Sequence, residues 1–260
     1  MIRFYYFTVK SLLIIGLINF TAYSVWCEQN NSPSGKSYYF PEIEKIGFIR
    51  KDSVPFSGSV HSGNQNQVMM TWNNLVYIKP HRNYVFKEGD LFFVFREIEE
   101  IFHKEKSMGI HYNVLGIIKI TALRPRFVQG QIIRSFDPIR KGDLLKPYQK
   151  LNPNISLIEE VPYIRAQIIA TEESKRMIGL GDVVHISQGH IHGIQPGNVF
   201  DIYEHQEKDY EMSSRTVFLD PSLSYPTGQL LILSTERETS AGLITWSKRE
   251  LLMAHELDVH

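Results

Sequence analysis

Val114, Gly116, Ile118, Ile120 and Ala122 fall on alternate positions, so they line one face of a half-buried antiparallel strand. Leu91-Phe92-Phe93-Val94-Phe95 is apolar without a break, the pattern of a strand covered on both faces. Between these runs, Arg96 to His103 places Ile98, Ile101 and Phe102 on one side, as a helical turn would. The closely flanking strands favour an extended hairpin arm instead, turning near Lys104–Met108. The same patterning predicts strands near 58–62, 75–79, 90–101, 110–122, 126–136 and 143–147. A shorter one is expected around Ile46-Gly47-Phe48-Ile49. A short helix is expected over Glu172–Ile178, where acids lead and Lys175-Arg176 follow, as the helix dipole favours.

One phrase punctuates these strands. Phe86-Lys87-Glu88-Gly89-Asp90-Leu91-Phe92 returns as Ile139-Arg140-Lys141-Gly142-Asp143-Leu144-Leu145. It returns again around Gly181-Asp182 and Gly197-Asn198. Gly takes a positive φ at no steric cost, and Asx bonds nearby backbone, so each phrase reads as a turn that launches a strand. Gly89, Asp90, Gly142, Asp143, Gly181, Asp182, Gly197 and Asn198 are therefore structural turn residues.

The phrases belong to a repeat. With the chain shifted by 108 positions, Gly58–Phe95 lies over Ala166–Tyr203 without a gap. Val60 meets Ile168, Met69 meets Met177, Val76 meets Val184, Ile78 meets Ile186 and Phe92 meets Phe200. At an offset of 112, Gly116 meets Gly228, Ile118 meets Leu230, Ile120 meets Ile232 and Gly130 meets Gly242. The turn at Gly142-Asp143 meets Ala254-His255, where the phrase has decayed. Two copies of one unit follow. The expected fold is mainly β, two tandem copies of a small β-barrel or sandwich-like unit with long hairpins. The expected segments are a signal peptide (1–24), a flexible leader (25–41), an N-terminal connecting segment (42–57), repeat unit 1 (58–148), a linker (149–165) and repeat unit 2 (166–260).

Targeting comes from the first segment. Arg3 and Lys10 precede the apolar run Ser11–Phe20, and Ala22-Tyr23-Ser24 supplies small residues for cleavage after Ser24. A retained membrane anchor and a lipidated Cys27 are the alternatives, and they are the two routes to a membrane. Cys27 is the only cysteine, so no intrachain disulfide staples the fold. The 260 residues carry no net formal charge, and loss of residues 1–24 leaves −2, a balance that speaks against nucleic-acid binding. One local asymmetry changes this picture. Arg124, Arg126, Arg134, Arg140, Lys141, Lys146 and Lys150 face only Asp137 and Asp143 between Ala122 and Lys150. That stretch suits either an anionic envelope polymer or edge strands blunted by charge.

Candidate chemistry is sparse. His185, His190 and His192 lie close in sequence, and His190-Ile191-His192 on a strand would put two rings on one face, weak candidates for a metal. No nearby Cys or carboxylate completes that set, so a structural or solvated role is favoured. Glu97, Glu99 and Glu100 read as a solvated face of the arm rather than paired catalytic carboxylates. There is no Gly-x-Ser-x-Gly elbow, no Ser-x-x-Lys, no phosphate-cradling loop and no dinucleotide fingerprint. The expectation is a non-enzymatic chain with no catalytic residue and no cofactor.

Glu42–Lys51, followed by paired units with Val76-Tyr77-Ile78, Gly89-Asp90 and Arg96 to His103, resembles the β-rich region after the LysM module in exported LysM peptidoglycan-binding proteins. The second copy, with Gly181-Asp182-Val183-Val184 and Gly193-Ile194-Gln195-Pro196-Gly197, also resembles the C-terminal domain of flagellar assembly protein T. LysM itself, with its Gly-Asp-Thr-Leu opening, is not found, so no glycan-binding residue carries over. The resemblance implies a periplasmic or cell-envelope location, with peptidoglycan or another anionic envelope polymer as partner. The alternatives are an assembly factor for a flagellum or secretion system, working with envelope proteins, or a metal-binding protein using His185, His190 and His192.

Overall fold

A computed structural model describes residues 36–64, 67–82, 84–158, 162, 164–172, 174–204, 225–252 and 257–259. The signal segment, Cys27 and Ala254-His255 lie outside them. Among the described residues no helix is long and apolar enough to cross a membrane.

The first unit is built from β3 (Gly58–Gly63), β5 (Leu75–Pro80), β6 (Leu91–His103), β7 (Lys106–Leu123), β8 (Val128–Ser135) and β10 (Leu144–Pro147). Their antiparallel pairings run β3–β5–β8–β7–β6–β10 and return from β10 to β3, so the sheet curls back on itself. The second unit uses β12 (Ala166–Thr171), β14 (Val183–Ile186), β15 (Val199–Glu204), β16 (Gly228–Thr235), β17 (Ser240–Ser247) and β19 (Leu257–Val259). It closes as a barrel in the order β12–β14–β17–β16–β15–β19, the same circuit strand for strand. Each unit adds a small ladder at matching positions. In the first, β4 (Met69–Met70) pairs with β9 (Ile139–Arg140); in the second, β13 (Met177–Ile178) pairs with β18 (Leu251–Leu252).

The turns explain why the phrase recurs. In each, Gly sits at positive φ: 90° at Gly89, 96° at Gly142, 89° at Gly181 and 99° at Gly197. The Asx carboxylate or amide oxygen accepts the N–H three residues earlier, from Lys87, Arg140, Gly179 and Gln195 respectively. The turn then clips onto a distant strand: Gly89 N–H bonds Ile120 O, and Ile120 N–H bonds Asp90 O, both at 2.9 Å. The pairs Gly142/Asp143 with Val60, Gly181/Asp182 with Ile244, and Gly197/Asn198 with Ile232 repeat that reciprocal clip. A fifth turn does the same without glycine. Asn73, at φ 68°, donates to Ile132 O, and Asn74 caps Thr71 N–H. Asp143 adds a buried ion pair, accepting from Arg96 Nε at 2.7 Å and Nη2 at 2.8 Å.

Each unit encloses an apolar interior. Val60, Val76, Ile78, Phe92, Val94, Ile118, Ile120 and Leu145 fill the first. Ile168, Val184, Ile186, Phe200, Ile202, Leu230, Ile232 and Ile244 fill the second. Leu91–Phe95 is covered on both faces as expected: Phe92 and Val94 point inward, while Phe93 and Phe95 join an outer cluster with Phe48, Val54 and Tyr112. The alternation along β7 breaks, however. A bulge between the Phe95–Val114 and Val94–Gly116 pairs turns Leu115 into the interior and Val114 to the outer cluster.

The N-terminal connecting segment covers both units. A 3₁₀ turn at Ile43–Lys45 brings Ile43, with Phe40 and Ile46, against Leu231, Leu233 and Leu243 of the second barrel. β2 (Phe48–Arg50) then adds to β7 of the first unit, with Ile49 opposite His111. Buried Glu44 accepts from Arg134 and Tyr148 of the first unit. Three expectations need correction. At the end of the expected leader, β1 (Ser37–Tyr39) pairs with β11 (Asn154–Ser156), which lies in the expected linker. The expected helix over Glu172–Ile178 is a turn followed by β13, because ladder pairing with β18 satisfies that backbone. The hairpin turns at Lys104-Glu105 as expected, but the arm is not free: Ile101 and Met108 are buried with Ile49 and Ala170 against the second barrel.

Candidate functional site

Where the two units meet, three ionisable side chains come together, the two histidines buried and the carboxylate partly so. His111 comes from β7 of the first unit; Glu172 follows β12, and His185 sits on β14 of the second. Both histidines are 1% exposed. One ligating atom from each of the three lies within 4.8 Å of the others. The rings meet edge to face with centroids 4.8 Å apart. Glu172 Oε1 accepts the Gly47 N–H at 2.7 Å, which ties the connecting segment to the second barrel. His185 Nε2 lies 3.2 Å from the same carboxylate oxygen but out of line for a hydrogen bond, so it and His111 Nε2 are buried without a hydrogen-bond partner. A buried polar nitrogen left unpaired is costly.

Electrostatics follow the burial. The dry surroundings push His111 down to about 4, with the neighbouring His185 adding to this and Glu172 opposing it. Burial alone would raise Glu172. The adjacent His185 ring, His111 and the Gly47 N–H together outweigh burial and hold its carboxyl below the usual range. The junction therefore holds a carboxylate kept ionised and, in His111, an imidazole kept neutral. Around it, Thr239 Oγ1 donates to Ile49 O at 2.7 Å, Arg50 grips Glu236 through Nε and Nη2, and Lys51 pairs with Glu238.

The sequence grouping of His185, His190 and His192 is not a geometric group. His190 and His192 form an exposed 3₁₀ turn, not a strand, so their rings do not share a face. His190 Nδ1 lies 3.0 Å from Glu236 O, and His192 Nδ1 accepts the Gly189 N–H. Only His185 joins the buried cluster. In the sequence His111 carries no signal and Glu172 reads only as the start of the expected short helix. The repeat carried a faint signal: His185 replaces Tyr77 of the first copy, and a histidine inside a strand core departs from the copy it matches.

Glu97, Glu99 and Glu100 are exposed on the arm, as expected. The basic stretch 122–150 is not one patch. Arg134 is paired with Glu44, and Lys146 Nζ lies 4.1 Å from the Phe48 ring centroid. Strand register sends Arg140 and Lys141 to one end of the first unit, near Phe95 and Glu97. Arg124 and Arg126 go to the other end, where β7 turns into β8 at the Leu123–Val128 pair. The β5–β6 connection emerges there too, held by Gly89 to Ile120 and by Leu123 N–H to Glu88. Lys150 follows β10 at the same end, because Tyr148 N–H bonds Leu91 O. Exposed Arg82, Lys87, Arg124, Arg126 and Lys150 thus lie in turns at this end, as do Tyr84 and Phe127, with Glu88 and Asp90 as the acids of these turns.

No protein-family model matches the chain, and no curated protein does.

Proposed function

We propose that the chain is an exported, non-enzymatic protein of the cell envelope, a two-barrel scaffold that binds peptidoglycan or another anionic envelope polymer. The basic and aromatic end of the first barrel carries this reading. Arg82, Lys87, Arg124, Arg126 and Lys150 come from separate turns that the fold brings to one end. Guanidinium groups match the carboxylates of wall peptides, and the flat faces of Tyr84 and Phe127 suit sugar rings. The apolar run and small residues of 1–24 support export. The resemblance to regions that accompany LysM modules points to the same compartment.

Co-sedimentation with purified peptidoglycan sacculi tests the reading. The full chain should pellet with sacculi well above an inert control protein, less so as salt rises. Charge reversal at Arg124→Glu and Arg126→Glu should reduce recovery several-fold. Recovery equal to the control at low salt would contradict the proposal.

A further inference from the structure

We infer that His111, Glu172 and His185 form a divalent transition-metal site, most suited to Zn²⁺, that pins the two β-units together. Three features of the geometry lead there. The donors are two imidazoles and a carboxylate, a set that favours zinc and its neighbours over Mg²⁺ or Ca²⁺, which prefer all-oxygen ligands. Both histidine Nε2 atoms are buried and make no in-line hydrogen bond, and the polar atom beside His185 Nε2, at 3.2 Å, is the Glu172 carboxylate oxygen of the same set. The three donors come from β7, from the end of β12 and from β14, so a shared ion links the two units directly.

The distances suit closure onto an ion. Donor atoms around a tetrahedral centre with bonds of about 2.1 Å sit roughly 3.4 Å apart. The 4.8 Å spread at the junction is wider than this, so binding draws the three side chains inward. The Gly47 N–H on Glu172 Oε1 serves as an outer hydrogen bond that orients the carboxylate and leaves Oε2 for the ion. Glu172 also lines a surface groove with Phe40, Lys45, Ile46, Thr171 and Asp182. That groove reaches the carboxylate side of the cluster, while the two histidines lie behind it. With two units gripping one ion, binding favours the assembled form over the unfolded chain by mass action.

Titration of the chelator-treated full chain with Zn²⁺, followed by calorimetry and thermal unfolding, tests this. One equivalent should bind with sub-micromolar affinity and raise the melting temperature by several degrees. Co²⁺ in its place should give the visible absorption of a four-coordinate nitrogen–oxygen site. His111→Gln and Glu172→Gln should each weaken Zn²⁺ binding by about 100-fold or more. A double His190→Gln, His192→Gln variant should bind as the parent does. Failure of the parent chain to bind one equivalent would overturn the inference, whatever the variants do. So would loss of binding in the His190/His192 variant with retention in His111→Gln.

Discussion

Lys146 shows how one half-buried charge shapes the stability of its surroundings. Its ammonium lies over the Phe48 ring, and burial pushes its pKa down to about 8, partly offset by Glu236 and reinforced by Arg50. The charged form is therefore disfavoured in the folded protein. Between about pH 8 and the ordinary lysine range near 10.5, the unfolded chain holds more protons than the folded one. Stability rises with pH across that window. The upper limit comes from Tyr148, whose phenol burial and Glu44 push up to about 12, so folded stability turns down once unfolded tyrosine ionises near pH 10. Melting temperatures from pH 7.5 to 9.5 should climb for the parent and stay flatter for Lys146→Met, which should also melt higher at pH 7.5. Parallel profiles would mean that Lys146 is not the source. Nothing in the sequence marked this residue. It was one base in a charged stretch, and its burial depends on Phe48, nearly a hundred positions away.

At the scale of elements, the glycine–Asx turn is the unit that builds both barrels. Its four glycines share a conformation but not an environment. A side-chain carbon at Gly89 would meet nothing within 4 Å, whereas at Gly197 it would lie 2.0 Å from Ser156 O. Gly89→Ala then carries only the backbone strain of positive φ, a loss of about 1–2 kcal/mol. Gly197→Ala carries that strain and a clash with backbone of the segment that pairs with β1. It should cost several kcal/mol or fail to fold, as chemical denaturation of the two variants would show; equal losses would contradict the distinction. These turns were legible in the sequence because their chemistry is local: glycine, Asx and the capped N–H lie within four residues. The Asn73-Asn74 turn escaped because asparagine replaced glycine at the same conformation. The short helix expected over Glu172–Ile178 failed because a charge gradient is a weak signal. It lost to ladder hydrogen bonds between Met177–Ile178 and Leu251–Leu252. The β7 alternation failed at Leu115 because a bulge shifts the period without leaving a mark in residue type.

For the whole molecule, the two barrels follow one circuit of strands and are joined by the connecting segment and by contacts between their own strands. The connecting segment lays Ile43 on the second barrel, adds β2 to the first and ends in Arg50 and Lys51 gripping Glu236 and Glu238. The repeat was readable because a duplicated pattern can be compared with itself. The junction was not. Gly47 meets Glu172 across 125 positions, and Ile49 meets Thr239 across 190, so no window of sequence contains both partners. The buried histidine pair was missed for the same reason. This junction makes one body of the two repeats. Scanning calorimetry of the full chain in chelator compares the calorimetric enthalpy with the van't Hoff enthalpy of the same transition. A single transition with the two enthalpies equal is the predicted result. Two transitions, or a calorimetric enthalpy near twice the van't Hoff value, would show that the barrels unfold independently and would contradict it.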